Sequence, residues 1–139
     1  MQKYDIAVIG AGSGGLSAAL TAQGARVALL EKRKVGGECT HYGCIPSKTL
    51  LASAKLYHGM TQASDYGLPG LATMQNLDFG RVMQHVDDVV QSVYQGEKPE
   101  RLEADGLAVY VNQTGAVFQN AHEIRIGDEV IQADYTIIS

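Results

Sequence analysis

Apolar residues near the start of the chain form short continuous runs separated by one helical stretch. The runs Tyr4–Ile9 and Arg26–Glu31 are rich in β-branched and aliphatic side chains, which is typical of strands buried on both faces of a parallel sheet. Between them, apolar residues recur at helical spacing from Leu16 to Leu20, and Gly24 predicts the end of that helix. Strand, glycine turn, helix and strand within about 28 residues predict a βαβ unit of a doubly wound α/β sheet.

A second helix is predicted to begin between Cys44 and Ser47 and to run to about Tyr57. Pro46 suits its first turn, and residues 50, 51 and 54 supply an apolar stripe. The segments on either side, residues 32–43 and 60–76, show little periodicity and are predicted to be loops. The first is interpreted as a functional loop, and Pro69-Gly70 marks a turn in the second.

A third helix carries a valine stripe from Val82 to Val93, at i, i+4, i+7, i+8 and i+11. Asn76 or Asp78 is predicted to cap it, Gly96 and Pro99 to break it, and Pro99 to start a short helix that ends at Gly106. The acidic residues of this region are interpreted as a solvated helix face. They are Asp87, Asp88, Glu97, Glu100, Glu103 and Asp105.

The last part of the chain is predicted to be β-structure. A hairpin turn is expected over residues 126–129, so the strands form a small meander added to the parallel sheet. Because the chain stops inside an apolar run, we expect an incomplete domain. The predicted strands are Leu107–Val111, Ala116–Gln119, Glu123–Ile126 and Glu129–Ala133, followed by a core strand over Tyr135–Ser139.

Length, charge and cysteine content narrow the class of protein. The 139 residues are about one domain, 45% of them hydrophobic, and the net charge of −4 without a basic block argues against a nucleic-acid partner. No apolar run reaches the roughly 18 residues of a membrane span, and no secretory cleavage site follows the start. We therefore expect a cytoplasmic protein. In that reducing compartment a close cysteine pair is more often catalytic or metal-binding than structural.

The first turn fits the dinucleotide-binding pattern G-x-G-x-x-G over Gly10–Gly15. The first glycine allows a tight turn, Gly12 lets a pyrophosphate approach the backbone, and the last allows close helix packing. Glu31 follows about 20 positions later, where a carboxylate holds the ribose hydroxyls. The pattern predicts a Rossmann-like site for NAD or FAD without a 2′-phosphate; the alternative is a glycine turn with a surface glutamate.

The segment Gly36–Lys48 carries both cysteines of the chain, with four residues between Cys39 and Cys44. Cys44 lies at a predicted helix start, where the helix dipole favours a thiolate. One thiol can then exchange with a substrate while the other contacts an electron acceptor, and Lys48 can stabilise the negative charge. The alternatives are a metal site that includes His41, a structural disulfide, and two unreactive thiols.

This segment resembles the active-site signature of the class I pyridine nucleotide-disulfide oxidoreductases, the family of dihydrolipoamide dehydrogenase, glutathione reductase and mercuric reductase. The glycine loop, Glu31-Lys32 and Thr114–Phe118 also match that family, so the resemblance covers the whole chain. It implies that residues 1–139 are the amino-terminal segment of a three-layer FAD-binding domain. The NAD(P)H-binding and dimer-interface domains would lie outside this chain, the full-length protein would be a homodimer, and the segment alone would bind FAD poorly.

The resemblance also implies roles for individual residues. Cys39 matches the interchange thiol that meets the substrate, Cys44 the charge-transfer thiol beside the flavin, and Lys48 the lysine near the flavin ring. Electrons would pass from NAD(P)H through FAD to this pair, and then to a small disulfide, dithiol or metal-ion substrate. No resident metal is implied. The implied FAD-binding residues are Gly10, Gly12, Ser13, Gly14, Gly15, Glu31, Lys32, Gly37, Glu38, Cys39, Lys48, Gly115 and Ala116.

The three residues Thr40-His41-Tyr42 depart from the family pattern, which has an asparagine between two apolar residues. Soluble transhydrogenases have a similar stretch but lack the second cysteine. The departure leaves the substrate open. It also keeps two alternatives: a transhydrogenase-like flavoenzyme that moves hydride between nicotinamides without thiol turnover, and a non-redox dinucleotide-binding module.

Overall fold

The computed structural model describes residues 1–22, 24–69 and 77–139. A 3₁₀ turn over Ala63–Tyr66 follows the longest helix. The strands are β1 (Gln2–Ile9), β2 (Val27–Glu31), β3 (Ala108–Val111), β4 (Ala116–Phe118), β5 (Glu123–Ile126) and β6 (Glu129–Ile138). The helices are α1 (Ser13–Thr21), α2 (Gly37–His41), α3 (Cys44–Thr61), α4 (Phe79–Gln95) and α5 (Pro99–Ala104).

The six strands form one mixed sheet in the order β3-β2-β1-β6-β5-β4. Strands β3, β2, β1 and β6 run parallel, whereas β5 and β4 continue the sheet as an antiparallel hairpin. This arrangement confirms the α/β fold with an added β-meander. The first βαβ unit, β1-α1-β2, lies at the centre of the sheet.

Strand β6 differs from the prediction, which divided it into two runs. It is continuous because it pairs with β1 from Gln2↔Ile131 to Ile9↔Ile138, a span that covers both predicted runs. Only its first residues also pair with β5, from Ile126↔Glu129 to Glu123↔Gln132. The turn between β5 and β6 lies where the sequence predicted it.

Alternate residues of β1 and β2 pack on opposite faces of the sheet. Val8 and Leu29 face α1 and meet Leu102 of α5. Ala7 and Leu30 face the other way, in a cluster with apolar residues of β5 and β6. Both faces of these strands are therefore buried, which explains why their sequences are continuous apolar runs rather than alternating patterns.

Between β2 and β3, the structure differs from several predictions made from the sequence. The segment predicted as a loop over residues 32–43 contains the short helix α2, and α3 continues past Tyr57 to Thr61. The capping prediction is confirmed for Asp78, whose carboxylate accepts a hydrogen bond from the Arg81 amide at 3.2 Å. Asn76 and the Gly70 half of the predicted turn lie outside the described residues.

The two long helices differ in burial. Val86 and Val90 of the α4 stripe are buried, as predicted. In α3, all of whose residues the structure describes, no side chain is buried, and Leu51 of the predicted stripe is 67% exposed. Helix α3 packs mainly against α4 and α2 rather than against the sheet. In the part of the chain that the structure describes, no helix has the length and hydrophobicity of a membrane span.

Candidate active site

The glycine loop joins the end of β1 to the start of α1. A side chain at Gly15 would collide with the carbonyl oxygen of Gly10, so a glycine there lets the helix approach the strand end. Gly10 itself has φ +100°, a conformation that other residues rarely adopt. Gly12 differs, because a Cβ at that position would meet no described atom within 4 Å. The amino terminus of α1 is therefore open at Gly12, where the sequence predicted an approaching phosphate.

Glu31 ends β2 and turns its carboxylate toward the glycine loop. Its Oε2 accepts a hydrogen bond from the Ala11 amide at 2.7 Å, and its Oε1 accepts one from the Arg33 amide at 2.7 Å. The predicted ribose acceptor and the predicted phosphate loop are thus in direct contact. This contact fixes the carboxylate at one end of the loop.

Gly115 and Ala116 approach the same end of the sheet from the β-meander. The aliphatic stem of Lys32 lies 3.5 Å from the position that a Gly115 Cβ would occupy. Ala116 begins β4 and packs in the second apolar cluster. The structure therefore brings together the residues assigned to the adenosine end of a dinucleotide.

The segment with the cysteines is attached to the glycine loop by its own two glycines. The Gly36 amide donates a hydrogen bond to the Ala11 carbonyl at 2.8 Å. A Cβ at Gly37 would lie only 2.8 Å from the Cα of Gly12, so the two backbones are in contact. This close approach carries α2 and Cys39 to the open side of the glycine loop.

Gly43 brings the two cysteines together. A Cβ there would lie 3.0 Å from the Glu38 carbonyl oxygen, which shows how closely the start of α3 folds back on α2. Cys39 is half-buried on α2, and Cys44, the first residue of α3, is exposed. Both are free thiols in the structure.

The two thiols are not equivalent. A hydrogen bond to Cys44 and partial desolvation raise the pKa of the Cys39 thiol above its ordinary value, while the positive charge of Lys48 opposes this rise. The net effect of these interactions therefore favours the protonated form of Cys39.

One open cleft of about 480 Å³ includes both the glycine loop and the cysteine pair. Ser139 also lines it, at the end of β6, where its amide donates to the Ile9 carbonyl at 2.9 Å. Among the described residues, no group of three or more His, Cys, Asp or Glu side chains could hold a metal ion. The cleft is lined by Gly12, Ser13, Gly14, Glu38, Cys39, Gly43, Cys44 and Ser139.

Two residues beside the cysteine pair, Thr40 and Glu97, were given no role in the site by the sequence. Thr40 is buried, and its hydroxyl donates a hydrogen bond to Oε1 of Glu97 at 3.1 Å. The prediction that Glu97 belongs to a solvated acidic face is wrong, because its carboxylate lies between α4 and α2. The break signals Gly96 and Pro99 around it are the sequence feature that sets it apart from the other acidic residues.

His41 is the histidine that the metal-site alternative would require. Its Nε2 instead lies 2.8 Å from the Val35 carbonyl oxygen, and its ring packs edge-on against Tyr94 at 5.0 Å between centres. The histidine therefore holds the backbone of the cysteine segment.

An FAD-type dinucleotide site beside a dithiol defines a class of redox protein, and comparisons with known proteins identify the family. Residues 4–139 match the family model described as pyridine nucleotide-disulphide oxidoreductase. The chain belongs to this family.

Individual relatives agree with the family match. The chain is 34% identical over 140 residues to a dihydrolipoyl dehydrogenase from Acholeplasma laidlawii, across 99% of this chain and 40% of that protein. It is 42% identical over 90 residues to a mercuric reductase from Streptomyces lividans, across 63% of this chain and 19% of the relative. The chain thus spans less than half the length of these relatives.

A solved structure shares the fold over nearly the whole chain. It is the HOCl-induced flavoprotein disulfide reductase RclA from Escherichia coli, solved as a cysteine-to-serine mutant in complex with Cu(II). The TM-score is 0.73 at 27% sequence identity, and the match covers 99% of this chain and 28% of that one.

Proposed function

We propose that this chain supplies the FAD-binding site and the redox-active dithiol of an NAD(P)H-dependent disulfide oxidoreductase. One observation carries the proposal: the open glycine loop and the Cys39–Cys44 pair line the same cleft. A nucleotide-binding module without redox function would not need a dithiol at that position. The family membership supports the same function.

The residues present fit FAD. The free space at Gly12 admits a pyrophosphate to the amides at the start of α1, where the helix dipole favours negative charge. Glu31 would accept hydrogen bonds from the ribose hydroxyls, and Lys32, Gly115 and Ala116 would bind the rest of the adenosine end. Ser13, Gly14, Gly15, Gly37, Glu38 and Lys48 complete the proposed binding set. When bound, the flavin supplies two-electron chemistry that the side chains lack.

The dithiol performs the exchange with the substrate. Cys39 would attack or release the substrate sulfur, and Cys44, the first residue of α3, would be the thiol beside a bound flavin. Exchange is fastest when the attacking thiolate is available and the leaving thiol is acidic. At Cys39, Lys48 favours the thiolate, whereas the hydrogen bond to Cys44 and partial desolvation raise the pKa and oppose it.

We further propose a disulfide, dithiol or metal-ion substrate. The names of the relatives support these classes, since they include a dihydrolipoyl dehydrogenase and a mercuric reductase. The family likeness also supports a cytoplasmic homodimer in which NAD(P)H-binding and dimer-interface domains lie outside residues 1–139.

Two matched glycine substitutions test the proposed FAD site. Gly12 and Gly59 both lack neighbours within 4 Å of an added Cβ, and neither has a positive φ. Gly12→Ala fills the space proposed for the pyrophosphate, whereas Gly59→Ala adds a methyl group to the exposed part of α3. We expect weak, saturable FAD binding by the full chain and about tenfold weaker binding for Gly12→Ala, the cost of roughly 1.4 kcal/mol.

Quenching of flavin fluorescence during titration measures both affinities. Gly59→Ala should bind FAD as the unmodified chain does. If Gly12→Ala binds FAD equally well, the pyrophosphate does not lie at this loop and the proposed site is wrong.

A further inference from the structure

We propose that Glu97 is a positioning residue for the dithiol: it fixes α2 so that Cys39 lies within reach of Cys44. The inference rests on the redox role proposed above for the cysteine pair. Glu97 lies between α4 and α5, 57 positions from the threonine that it contacts. Its contact with Thr40 therefore connects the end of α4 to α2, the helix that bears Cys39.

The first observation is the hydrogen bond between Thr40 and Glu97. Thr40 follows Cys39 directly on α2, and only 3% of its surface is exposed. Its hydroxyl donates to Glu97 Oε1 at 3.1 Å. Because α2 has only five residues, a buried contact at its fourth residue restricts the orientation of the whole helix.

The second observation is the other carboxylate oxygen. Glu97 Oε2 is buried and has no hydrogen-bond partner among the described residues. It lies against Gly36, where a side chain would collide with it. Burying a polar atom without a partner costs stability, so such an atom calls for an explanation. Positioning of the Cys39 thiol provides that explanation. One oxygen of the carboxylate binds Thr40 and the other lies against Gly36, and these two residues are on either side of Cys39.

The third observation is that Tyr94, near the end of α4, contacts the same segment. Its ring packs against His41 at 5.0 Å, and the ammonium group of Lys34 lies 4.3 Å from the ring centre. Tyr94 and Glu97 together contact residues before and after Cys39. The end of α4 thus clamps the cysteine segment against the glycine loop.

Such a clamp acts on the disulfide equilibrium. A fixed Cys39 meets Cys44 at a higher effective concentration than a mobile one. Oxidised glutathione is a suitable probe. The Cys39 thiolate attacks one glutathione sulfur and releases a glutathione thiolate; Cys44 then attacks the Cys39 sulfur of the mixed disulfide and releases the second. The two thiol protons pass to the released thiolates.

The experiment measures the equilibrium constant for disulfide formation in the full chain with a glutathione buffer. Glu97→Ala and Thr40→Val each remove the hydrogen bond, and we expect both to lower the constant about fivefold. Glu97→Gln keeps an acceptor for Thr40 and should restore most of the loss. Thr40→Val keeps the shape of the side chain, so it tests the contact even if Glu97→Ala does not fold.

Glu103→Ala, an exposed acidic position on α5, is the matched control and should leave the constant unchanged. Urea unfolding of the same variants measures their stability, so that a structural role can be distinguished from an effect on the disulfide equilibrium. An unchanged constant in Thr40→Val and Glu97→Ala, or an equal fall in Glu103→Ala, would overturn the inference. If the unmodified chain forms no disulfide at all, the redox proposal itself fails.

Discussion

The β1-α1-β2 unit and the α3–α4 pair are built in different ways. In the first, every residue from Val27 to Leu30 is buried, and backbone contacts at Gly10 and Gly15 close the turn. In the second, α3 buries no side chain, and Leu51 and Leu56 are each 67% exposed. The glycine loop therefore lies on the core of the sheet, whereas Cys44 begins a helix that contributes little to that core.

This difference shows that the glycine loop and the thiols are held in position in different ways. The phosphate loop needs a rigid frame, and the parallel strands provide it. The cysteine segment instead obtains its position from specific contacts: Gly36 and Gly37 on the glycine loop, and the clamp at the end of α4. We infer that the thiols can lose their alignment without unfolding of the sheet.

A pair of leucine substitutions tests the energetic side of this comparison and has the largest expected effect. Leu29 is fully buried in β2, so Leu29→Ala should cost about 2–5 kcal/mol of unfolding free energy. Leu51→Ala on α3 should stay within about 0.5 kcal/mol, because the side chain is mostly exposed. Urea unfolding followed by far-UV circular dichroism measures both free energies. Similar losses in the two variants would refute the contrast between the buried β1-α1-β2 unit and α3.

The sequence predicted the sheet well because its signals are local. The runs Tyr4–Ile9 and Arg26–Glu31, the turn at 126–129 and the Asp78 cap each follow from neighbouring residues, and each is confirmed. The division of β6 was wrong for a non-local reason. Its continuity comes from pairing with β1, more than 120 residues earlier in the chain.

The same distinction applies to the site. Gly10–Gly15, Glu31 and the two cysteines form short motifs, and the structure brings them together. Helix α2 was missed because its five residues are too few to show periodicity, and it begins with two glycines of positive φ. The contact of Glu97 was missed because its partner, Thr40, is 57 positions away in the sequence.

Site-specific alkylation tests the asymmetry of the thiols. The hydrogen bond to Cys44 is the main cause that raises the pKa of Cys39, so Cys44→Ala should lower that pKa. More Cys39 would then be thiolate at pH 8, and its reaction with iodoacetamide should be several-fold faster. Lys48→Gln should slow the reaction, because Lys48 favours the thiolate.

Mass spectrometry of Cys39-containing peptides between pH 7 and pH 10 gives the midpoint for each variant. Lys55→Gln, an exposed position further along α3, is the matched control for the change of charge. A slower reaction in Cys44→Ala would contradict the hydrogen bond to Cys44 as the main cause of the raised pKa of Cys39.

The smallest expected effect concerns the ion pair between Asp5 of β1 and Arg26, the residue just before β2. Asp5 accepts hydrogen bonds from the Arg26 amide at 2.7 Å and from its guanidinium group at 3.0 Å, and both side chains are largely solvated. The guanidinium hydrogen bond is the main cause that holds the pKa of Asp5 below its ordinary value. A lowered folded-state pKa contributes stability above the unfolded-state value, and this contribution is lost as pH falls through the folded-state pKa.

Asp5→Asn should therefore reduce the urea midpoint slightly at pH 7, and the difference from the unmodified chain should vanish toward pH 2. Asp128→Asn, in the exposed hairpin turn, is the control and should show no such pH-dependent difference. A difference that grows as pH falls would show that the carboxylate does not stabilise the strand pair. Since the pair is solvated, even complete loss of the contact should leave the glycine loop and its FAD affinity unchanged.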